Sequence, residues 1–520
     1  MTDVSARTAW CLANAFLHRR AARAYRARAH GDGSIQLHRV SDRQVITRDE
    51  AVALAKIVLG MRYHAWEPGS DAVTFTHRVL RVVRITNNTE ITCATIDRFW
   101  VQFMTQLGSA INVEIGTNVH DVPTLREVVR HAEQAISPMI RPEDRPVDSD
   151  PWWRISEGPH MYLPVSLWHS ATQAAMVAPT HDVVGQIMDT LDGSGFHGAA
   201  TLGFLSRAQL VYNAAGKEAW GEDTDSEMTV TAYTPDGKSS GWSGQAERNW
   251  AKMQPAQVVR DALDMAERSR NPVRVEPGRY TAILGRAAVG AFVAEMSETH
   301  MFDAYNSAVF THNPPINGKE TKIGERVMDA RVTISHDPQD PDYGDYPFFG
   351  SGHPSGQATW VKDGVLTALS YDEGYAMQCG KIPLKEPPAI RVSGGETSIG
   401  QMIAQCERGI YVNRFTGVSG LKDPMAQKAG MMLGTTQDGC FLVKDGKIHS
   451  PITNFRFYES PVLAFNKVLA LGPSERVAFG FNRQRNIFGA ASLDSWPLAP
   501  VVVPTMMIQD FNFVSLADAV

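Results

Sequence analysis

The segment DGCFLVKDGKIHSPI (residues 438–452) contains an apolar run, a Lys-Asp-Gly turn and a second apolar run. Asp-Gly between two such runs is the strongest short-range signal for a β-hairpin. The same unit occurs earlier in the chain, as GQATWVKDGVL (356–366). The two segments therefore predict two β-hairpins in the C-terminal half of the chain.

The composition bounds the class of protein. The chain has 520 residues, of which 43% are hydrophobic and 20% charged, so we expect at least two domains, each with a core. Its net charge of -6 is unlike the basic balance of most nucleic-acid-binding proteins. Its five cysteines form no CxxC pair, which suits a reducing compartment, and no apolar run approaches the ~20 residues of a membrane span. We expect a cytoplasmic protein that binds neither nucleic acid nor membranes.

Changes in composition along the chain predict its domain boundaries. Residues 6–30 are rich in Ala and Arg and predict a basic amphipathic helix. The segment SRNPVRVEPG (269–278) contains two prolines and ends in Pro-Gly, which is typical of a domain boundary. We therefore predict an N-terminal helix or extension (1–40), an α/β domain (41–275) and a β-rich domain (276–520).

Local patterns predict individual elements. Thr47-Arg-Asp-Glu50 is a capping box that opens a helix. Apolar and polar residues tend to alternate between 73 and 96, with an interruption at Asn87-Asn88, and this pattern predicts two strands. The segment 199–216 predicts two further strands, on either side of Ser206-Arg207. Apolar patterns predict helices over 287–307 and 461–469.

Five segments in the C-terminal half, taken in order, resemble the C-terminal domain of the TldD/PmbA family, also called modulator of DNA gyrase proteins. A sixth segment, 206–242, resembles the second N-terminal segment of that family. The five segments are PGRYTAILGRAAVGAFVAEM (277–296), KIGERVMDARVTI (322–334), the 356–366 hairpin, GIYVNRFTG (409–417) and the 438–452 hairpin.

The resemblance implies an α+β fold, with an N-terminal α/β domain, a C-terminal barrel-like β-rich domain and subunits that pair as dimers. One branch of the family resembles zinc peptidases that degrade small peptides or trim leader peptides. Its helix carries an HExxxH motif, and a cysteine near the C-terminus is a further ligand. The other branch, TldE/PmbA-like, lacks these ligands and partners the active subunit.

The residues that align with the family's zinc motif predict that this chain belongs to the TldE-like branch. A peptidase zinc needs about three protein ligands and a carboxylate that takes a proton from the bound water. Aligned on the preceding strand, the motif falls on AEMSET (294–299), with Ala294 and Thr299 at the histidine positions. Only Glu295 remains, where the general base would be, and residues 475–500 contain no cysteine or histidine.

Three functions stay open at this point. The first is a metal-free subunit of a zinc metallopeptidase assembly, which holds an extended peptide and pairs with a zinc-binding TldD-like homologue. In that case the zinc belongs to the partner, and this chain has no cofactor. The second is a stand-alone metallopeptidase with relocated ligands from His300, His312, Cys379 and Cys440, whose spacing does not indicate that they converge. The third is a homodimeric, non-enzymatic binding or regulatory protein.

Overall fold

The chain folds around two large β-sheets with helices packed against them, and the predicted α+β class is confirmed. The computed structural model describes residues 26–29, 35–38, 45–61, 72–107, 109–117, 122–136, 162–178, 181–213, 216–316, 319–348, 350, 352–386, 389–479 and 500–517. Among these residues, no helix is both long and apolar enough to cross a membrane.

Among the described residues, six antiparallel strands form the N-terminal sheet, in the spatial order β5-β4-β3-β6-β7-β8. The strands are β3 (Ala72–Thr86), β4 (Thr89–Leu107), β5 (Ser109–Thr117), β6 (His197–Asn213), β7 (Glu218–Tyr233) and β8 (Ser240–Glu247). The turn at Asn87-Asn88 has positive φ at both residues, 49° and 58°, and joins β3 to β4 as predicted. The prediction of two strands in 199–216 is wrong, because β6 runs unbroken through Ser206-Arg207. Ser206 is buried and Arg207 pairs with Asp223 on β7, so these polar residues belong to the sheet.

Helices cover one face of this sheet. The capping box at Thr47 and Glu50 is present, so that prediction is confirmed. Leu54, Ile187 and Val258, each from a different helix, pack in one core with Phe204 of the sheet. The helices are α1 (Arg48–Gly60), α2 (Val122–Ile136), α3 (Ser170–Val177), α4 (His181–Ser194) and α5 (Pro255–Arg268), with a 3-10 turn at Trp250–Lys252.

The N-terminal extension differs from its prediction. Arg26–Ala29 (β1) and Ile35–His38 (β2) form an antiparallel pair, so the predicted basic helix over 6–30 is wrong at 26–29. The rest of the predicted helix, residues 6–25, lies outside the described residues.

In the C-terminal half, the described residues form an 11-stranded sheet. Its strands β9, β16, β17, β19 and β21 pair in sequence, and β21 pairs back with β9, so these strands close into a ring. This closure confirms the barrel-like architecture that the resemblance implies. The strands are β9 (Gly278–Leu284), β12 (Ile334–His336), β13 (Ala358–Lys362), β14 (Val365–Leu366), β15 (Ile390–Val392), β16 (Arg408–Gly420), β17 (Met432–Lys444), β18 (Lys447–Pro451), β19 (Phe455–Glu459), β20 (Val468–Arg476) and β21 (Val501–Leu516); β10 (Thr311–Ile316) and β11 (Lys319–Thr321) pair separately.

A buried helix, α6 (Arg286–Glu298), packs against β16 and β21 of the ring. The ring of Phe292 lies 5.3–6.0 Å from three other phenylalanine rings of this core, those of Phe415, Phe457 and Phe511. The predicted helix over 287–307 is too long. His300 adopts a left-handed φ of 52°, and the Met301 amide donates to the Met296 carbonyl, which closes the helix end.

The remaining helices are short: α7 (Glu373–Cys379), α8 (Ile399–Ala404), α9 (Pro424–Lys428) and α10 (Pro461–Phe465). The predicted helix over 461–469 is also too long, because β20 begins at Val468 and pairs with β21.

The two Lys-Asp-Gly segments form the predicted hairpins. Strands β13 and β14 pair across Asp363-Gly364, and β17 and β18 pair across Asp445-Gly446. All four turn residues have positive φ, between 48° and 78°. This is the type I′ geometry that matches the right-handed twist of the strands, and the Asp-Gly dipeptide favours it.

Replacement of Gly364 by alanine tests how strongly the first turn specifies the fold. A Cβ atom there would lie 2.2 Å from the Met328 carbonyl oxygen, at a φ of 78°. We expect Gly364→Ala to lower the free energy of unfolding by at least ~2 kcal/mol in urea denaturation. Gly356→Ala is the matched control, since its Cβ meets no atom within 4 Å, and should change stability by less than ~0.5 kcal/mol. Equal stability of the two variants would contradict the proposed role of the turn.

Candidate functional site

The segment 294–299, where the zinc motif would fall, forms the C-terminal end of α6. Glu295 is only 6% exposed, and its Oε1 accepts a hydrogen bond from the Gly420 amide at 2.8 Å. The Thr299 hydroxyl donates to the Glu295 carbonyl at 2.7 Å. Ala294 packs with its methyl group against the apolar core. These side chains do not fit a zinc site, because a methyl group cannot coordinate and one helix-bonded hydroxyl is a poor ligand.

The two histidines of the alternative ligand set pair with different carboxylates. The Nδ1 atom of His300 lies 2.9 Å from Glu386 Oε2, and this hydrogen bond raises the pKa of His300. The Nε2 atom of His312 lies 3.2 Å from Glu325 Oε1. Each imidazole therefore has a carboxylate partner of its own.

The two cysteines of that set lie in different elements. Cys379 ends α7, whereas Cys440 is buried within β17. Burial raises the pKa of the Cys440 thiol to about 12, so it carries a proton at neutral pH, and a metal binds the thiolate. Within the described ranges, which include all four residues, no group of three or more His, Cys, Asp and Glu could hold a metal ion.

A row of acidic side chains on β7 forms the contact between the two halves of the chain. Asp223, Asp225 and Glu227 alternate along the strand, so they project from the same face of the sheet. Asp225 pairs with Arg476 at 2.5 Å, and Glu227 accepts from the Phe479 amide at 3.2 Å. Both partners lie at or just beyond the end of β20, so this row of acids anchors the large sheet to the small one.

Asp223 is the most enclosed member of the row, at 2% exposure. It pairs with Arg207 at 2.8 Å and Arg248 at 3.2 Å, and the Tyr346 hydroxyl donates to it. Burial raises the pKa of Asp223, but the two guanidinium charges and the hydrogen bonds outweigh burial and lower the pKa to about 2. Arg248 also donates to the carbonyl of Gly344 at 2.7 Å, so it bridges the two halves.

Sequence reasoning missed this network. The run Glu-Asp-Thr-Asp-Ser-Glu at 222–227 resembles a solvated charged segment, yet most of it is buried. A strand prediction through this run would have placed alternate acids on one face. Their arginine partners lie 16, 25 and 251 residues away in sequence, and no local pattern points to them.

A cavity of about 610 Å³ lies between the two halves, beside the acidic row. The N-terminal half contributes β8 and α5, whereas the C-terminal half contributes the start of α6 and the end of β20. Arg286, at the start of α6, pairs with Glu475 at 2.8 Å in the lining. The cavity is thus at the opposite end of α6 from residues 294–299, about 12 Å away along the helix axis.

Removal of the Asp223 charge should destabilise the protein. In Asp223→Asn the buried Arg248 guanidinium loses its counter-charge, and we expect a loss of ~3–5 kcal/mol in the free energy of unfolding. Asp264→Asn, which alters an exposed i,i+4 pair with Arg268, is the control and should cost less than ~0.5 kcal/mol.

The difference in the free energy of unfolding between wild type and Asp223→Asn should depend on pH. The pKa of Asp223 is lowered from 3.8 to about 2 in the folded state, so its contribution is complete above pH ~4 and is lost as pH falls towards 2. The gap between wild type and Asp223→Asn in urea denaturation should therefore narrow by ~2 kcal/mol between pH 5 and 2. A gap that stays constant over this range would show that the carboxylate charge is not what stabilises the contact.

Comparison with known proteins identifies the C-terminal half. Residues 277–515 match the PmbA/TldA metallopeptidase C-terminal domain. A metalloprotease of Methanothermobacter thermautotrophicus is 25% identical over 174 residues, which cover 31% of this chain and 37% of that protein. The match thus spans little more than a third of the length of this curated relative.

Solved structures extend the likeness to most of the chain. TldE from Thermococcus kodakarensis superposes with a TM-score of 0.68 at 12% identity, over 88% of this chain and 98% of that one. A candidate modulator of DNA gyrase from Thermotoga maritima gives 0.67 at 15% identity, over 85% and 95%. Another from Bacteroides thetaiotaomicron gives 0.66 at 14%, over 91% and 100%. At these identities the likeness to solved structures shows the fold alone, and the family assignment applies to residues 277–515, which match the PmbA/TldA metallopeptidase C-terminal domain.

Proposed function

We propose that this chain is the metal-free, TldE-like subunit of a zinc metallopeptidase assembly that degrades peptides or trims leader peptides. The observation that carries the proposal is the end of α6. There Ala294 and Thr299 stand at the two histidine positions, and the Glu295 carboxylate is hydrogen-bonded to the Gly420 amide. The helix is retained as a packing element without the side chains that would hold a metal.

The geometry favours a structural role for Glu295. A general base must reach the water that it deprotonates, and its pKa must suit the transfer. The Glu295 side chain is 94% removed from solvent and bonded to the end of β16. A carboxylate in this position joins α6 to the strand beside it, and an amide–carboxylate hydrogen bond is worth ~1.5–3 kcal/mol.

The partner in this proposal is a zinc-binding homologue, and the substrate is an extended peptide held at their shared surface. The family membership supports the pairing, and the metalloprotease relative supports peptide hydrolysis as the activity of the whole assembly. Extended peptides are commonly bound through main-chain pairing to a strand edge. This chain would then shape the binding cleft, while its partner supplies the zinc and the catalytic carboxylate.

Metal content and subunit composition test the proposal directly. We expect the purified chain to contain no stoichiometric zinc by atomic absorption, and to co-purify as a heterodimer with a zinc-binding homologue from its own source. Peptide hydrolysis should require both subunits, and chelation should abolish it. One tight zinc per chain, with hydrolysis that His300→Ala removes, would instead establish a stand-alone peptidase. A zinc-free homodimer without a hydrolytic partner would establish a binding or regulatory protein.

Two substitutions at Glu295 separate the structural role from a catalytic one. Glu295→Gln keeps an oxygen acceptor for the Gly420 amide, so we expect little change in thermal stability or in hydrolysis by the reconstituted assembly. Glu295→Ala removes the acceptor and should cost ~1–3 kcal/mol of stability. Glu298→Gln, on the exposed face of the same helix, is the matched control. Loss of hydrolysis in Glu295→Gln at unchanged stability would mean that Glu295 is the general base.

A further inference from the structure

The outer edge of β8 presents unpaired main-chain groups to the cavity between the two halves. In an antiparallel pair, alternate residues direct their N–H and C=O groups to the partner strand and away from it. The Ser239 carbonyl, just before β8, accepts a hydrogen bond from the Thr234 amide, just after β7. Odd-numbered residues of β8 therefore direct their main-chain groups towards β7, and even-numbered residues direct theirs away from it. Trp242, Gly244 and Ala246 therefore direct their main-chain groups away from β7.

A side-chain hydrogen bond agrees with this outward direction of the main-chain groups. The Trp242 carbonyl accepts a hydrogen bond from the Asn413 Nδ2 atom at 3.0 Å, and Asn413 belongs to the C-terminal half. Within the part of the chain that the structure describes, the outward groups of Gly244 and Ala246 have no hydrogen-bond partner. Both residues line the cavity. An open strand edge of this kind can pair with another extended chain.

The charges around the cavity favour a cationic occupant. Among the described residues, four acids line it, against two arginines. Arg286 is paired with Glu475, and Arg476 is paired with Asp225, which lies outside the lining. The acids of the lining are Glu247, Asp261, Asp342 and Glu475.

Two of these acids have only neutral hydrogen-bond partners among the described residues. Glu247 accepts from the Gln245 side chain at 3.3 Å, and Asp261 accepts from Gln257 at 2.6 Å. Asp342, by contrast, binds Arg391 at 2.5 Å. Neither carboxylate forms a salt bridge among the described residues, and the nearby charges of Arg476 and Lys252 act on Glu247 without pairing with it.

We propose that this cavity binds an extended peptide segment that adds a strand to the outer edge of β8 and pairs a lysine or arginine side chain with the lining carboxylates. The volume of about 610 Å³ lies within the ~300–1,000 Å³ of typical ligand sites. From Gly244 to Ala246 the open strand edge is about 7 Å long, enough to pair with a segment of roughly two to three residues. This site is separate from residues 294–299 and requires neither zinc nor a second subunit.

Fluorescence anisotropy on the purified full chain tests the proposal with three labelled probes of equal length. The first is an alanine peptide with one central lysine, the second replaces that lysine by glutamate, and the third carries N-methyl groups on alternate amides of the first. We expect the lysine peptide to bind at least tenfold more tightly than the glutamate peptide. The methylated peptide should bind about five- to tenfold more weakly, since each lost hydrogen bond is worth ~1 kcal/mol.

Variants of the chain locate the site. Glu247→Gln should weaken the lysine peptide about two- to fivefold and leave an all-alanine peptide unchanged, because it removes one partly solvated charge. Asp261→Asn should act in the same direction from the exposed surface of α5. Glu298→Gln has the same change in net charge, at the other end of α6, and should have no effect. Thermal melting confirms that each variant is folded.

Three results of these binding experiments would contradict the proposal. Equal affinity for the lysine and glutamate peptides would overturn the charge preference, and tolerance of N-methylation would overturn strand pairing. Equal effects of Glu247→Gln and Glu298→Gln would place binding elsewhere. These results are independent of zinc content and subunit composition, so failure here is distinguishable from failure of the proposed assembly.

Discussion

The Asp223 carboxylate, enclosed by two arginines and a tyrosine hydroxyl, is the contact on which the arrangement of the two halves depends. A carboxylate taken out of water is stable only when opposite charges and hydrogen bonds compensate its lost solvation. Arg207 comes from the neighbouring strand, whereas Arg248 also binds carbonyl groups of the C-terminal half. The compensation is complete only when both halves are docked, so the network specifies their relative position and, with it, the cavity between them.

The second constraint is the closed ring of strands against α6. Most of the helix is buried, so its residues are selected for packing against the phenylalanine core as well as for any chemistry. Ala294 packs against the apolar core and the Thr299 hydroxyl donates to the Glu295 carbonyl, so both side chains serve the helix and its contacts. Glu295 can remain in such a helix because the Gly420 amide satisfies its carboxylate. The position of α6 therefore depends on packing and on these hydrogen bonds rather than on metal coordination at its C-terminal end.

The sequence predicts the features that arise from neighbouring residues. The Asp-Gly turns, the Thr47 capping box and the Asn87-Asn88 turn each follow from local hydrogen bonding and backbone preference, and the structure contains all of them. The end of α6 at Glu298 was missed, because a left-handed residue and a tertiary contact close it rather than a glycine or proline. The acidic row and the cavity were also missed, since the partners of the acids lie between 16 and 252 residues away in sequence and converge only through the fold.

The two ends of α6 differ in a way that bears on function. At its C-terminal end, the polar groups of Glu295 and Thr299 are bonded within the protein, which leaves little for a ligand to bind. At its N-terminal end, Glu475 neutralises Arg286, while the β8 edge and Glu247 keep hydrogen-bonding groups and charge directed at a cavity. Unsatisfied polar groups around a concave surface favour an occupant that satisfies them. Recognition in this chain is therefore better supported at the interface between its two halves than at residues 294–299.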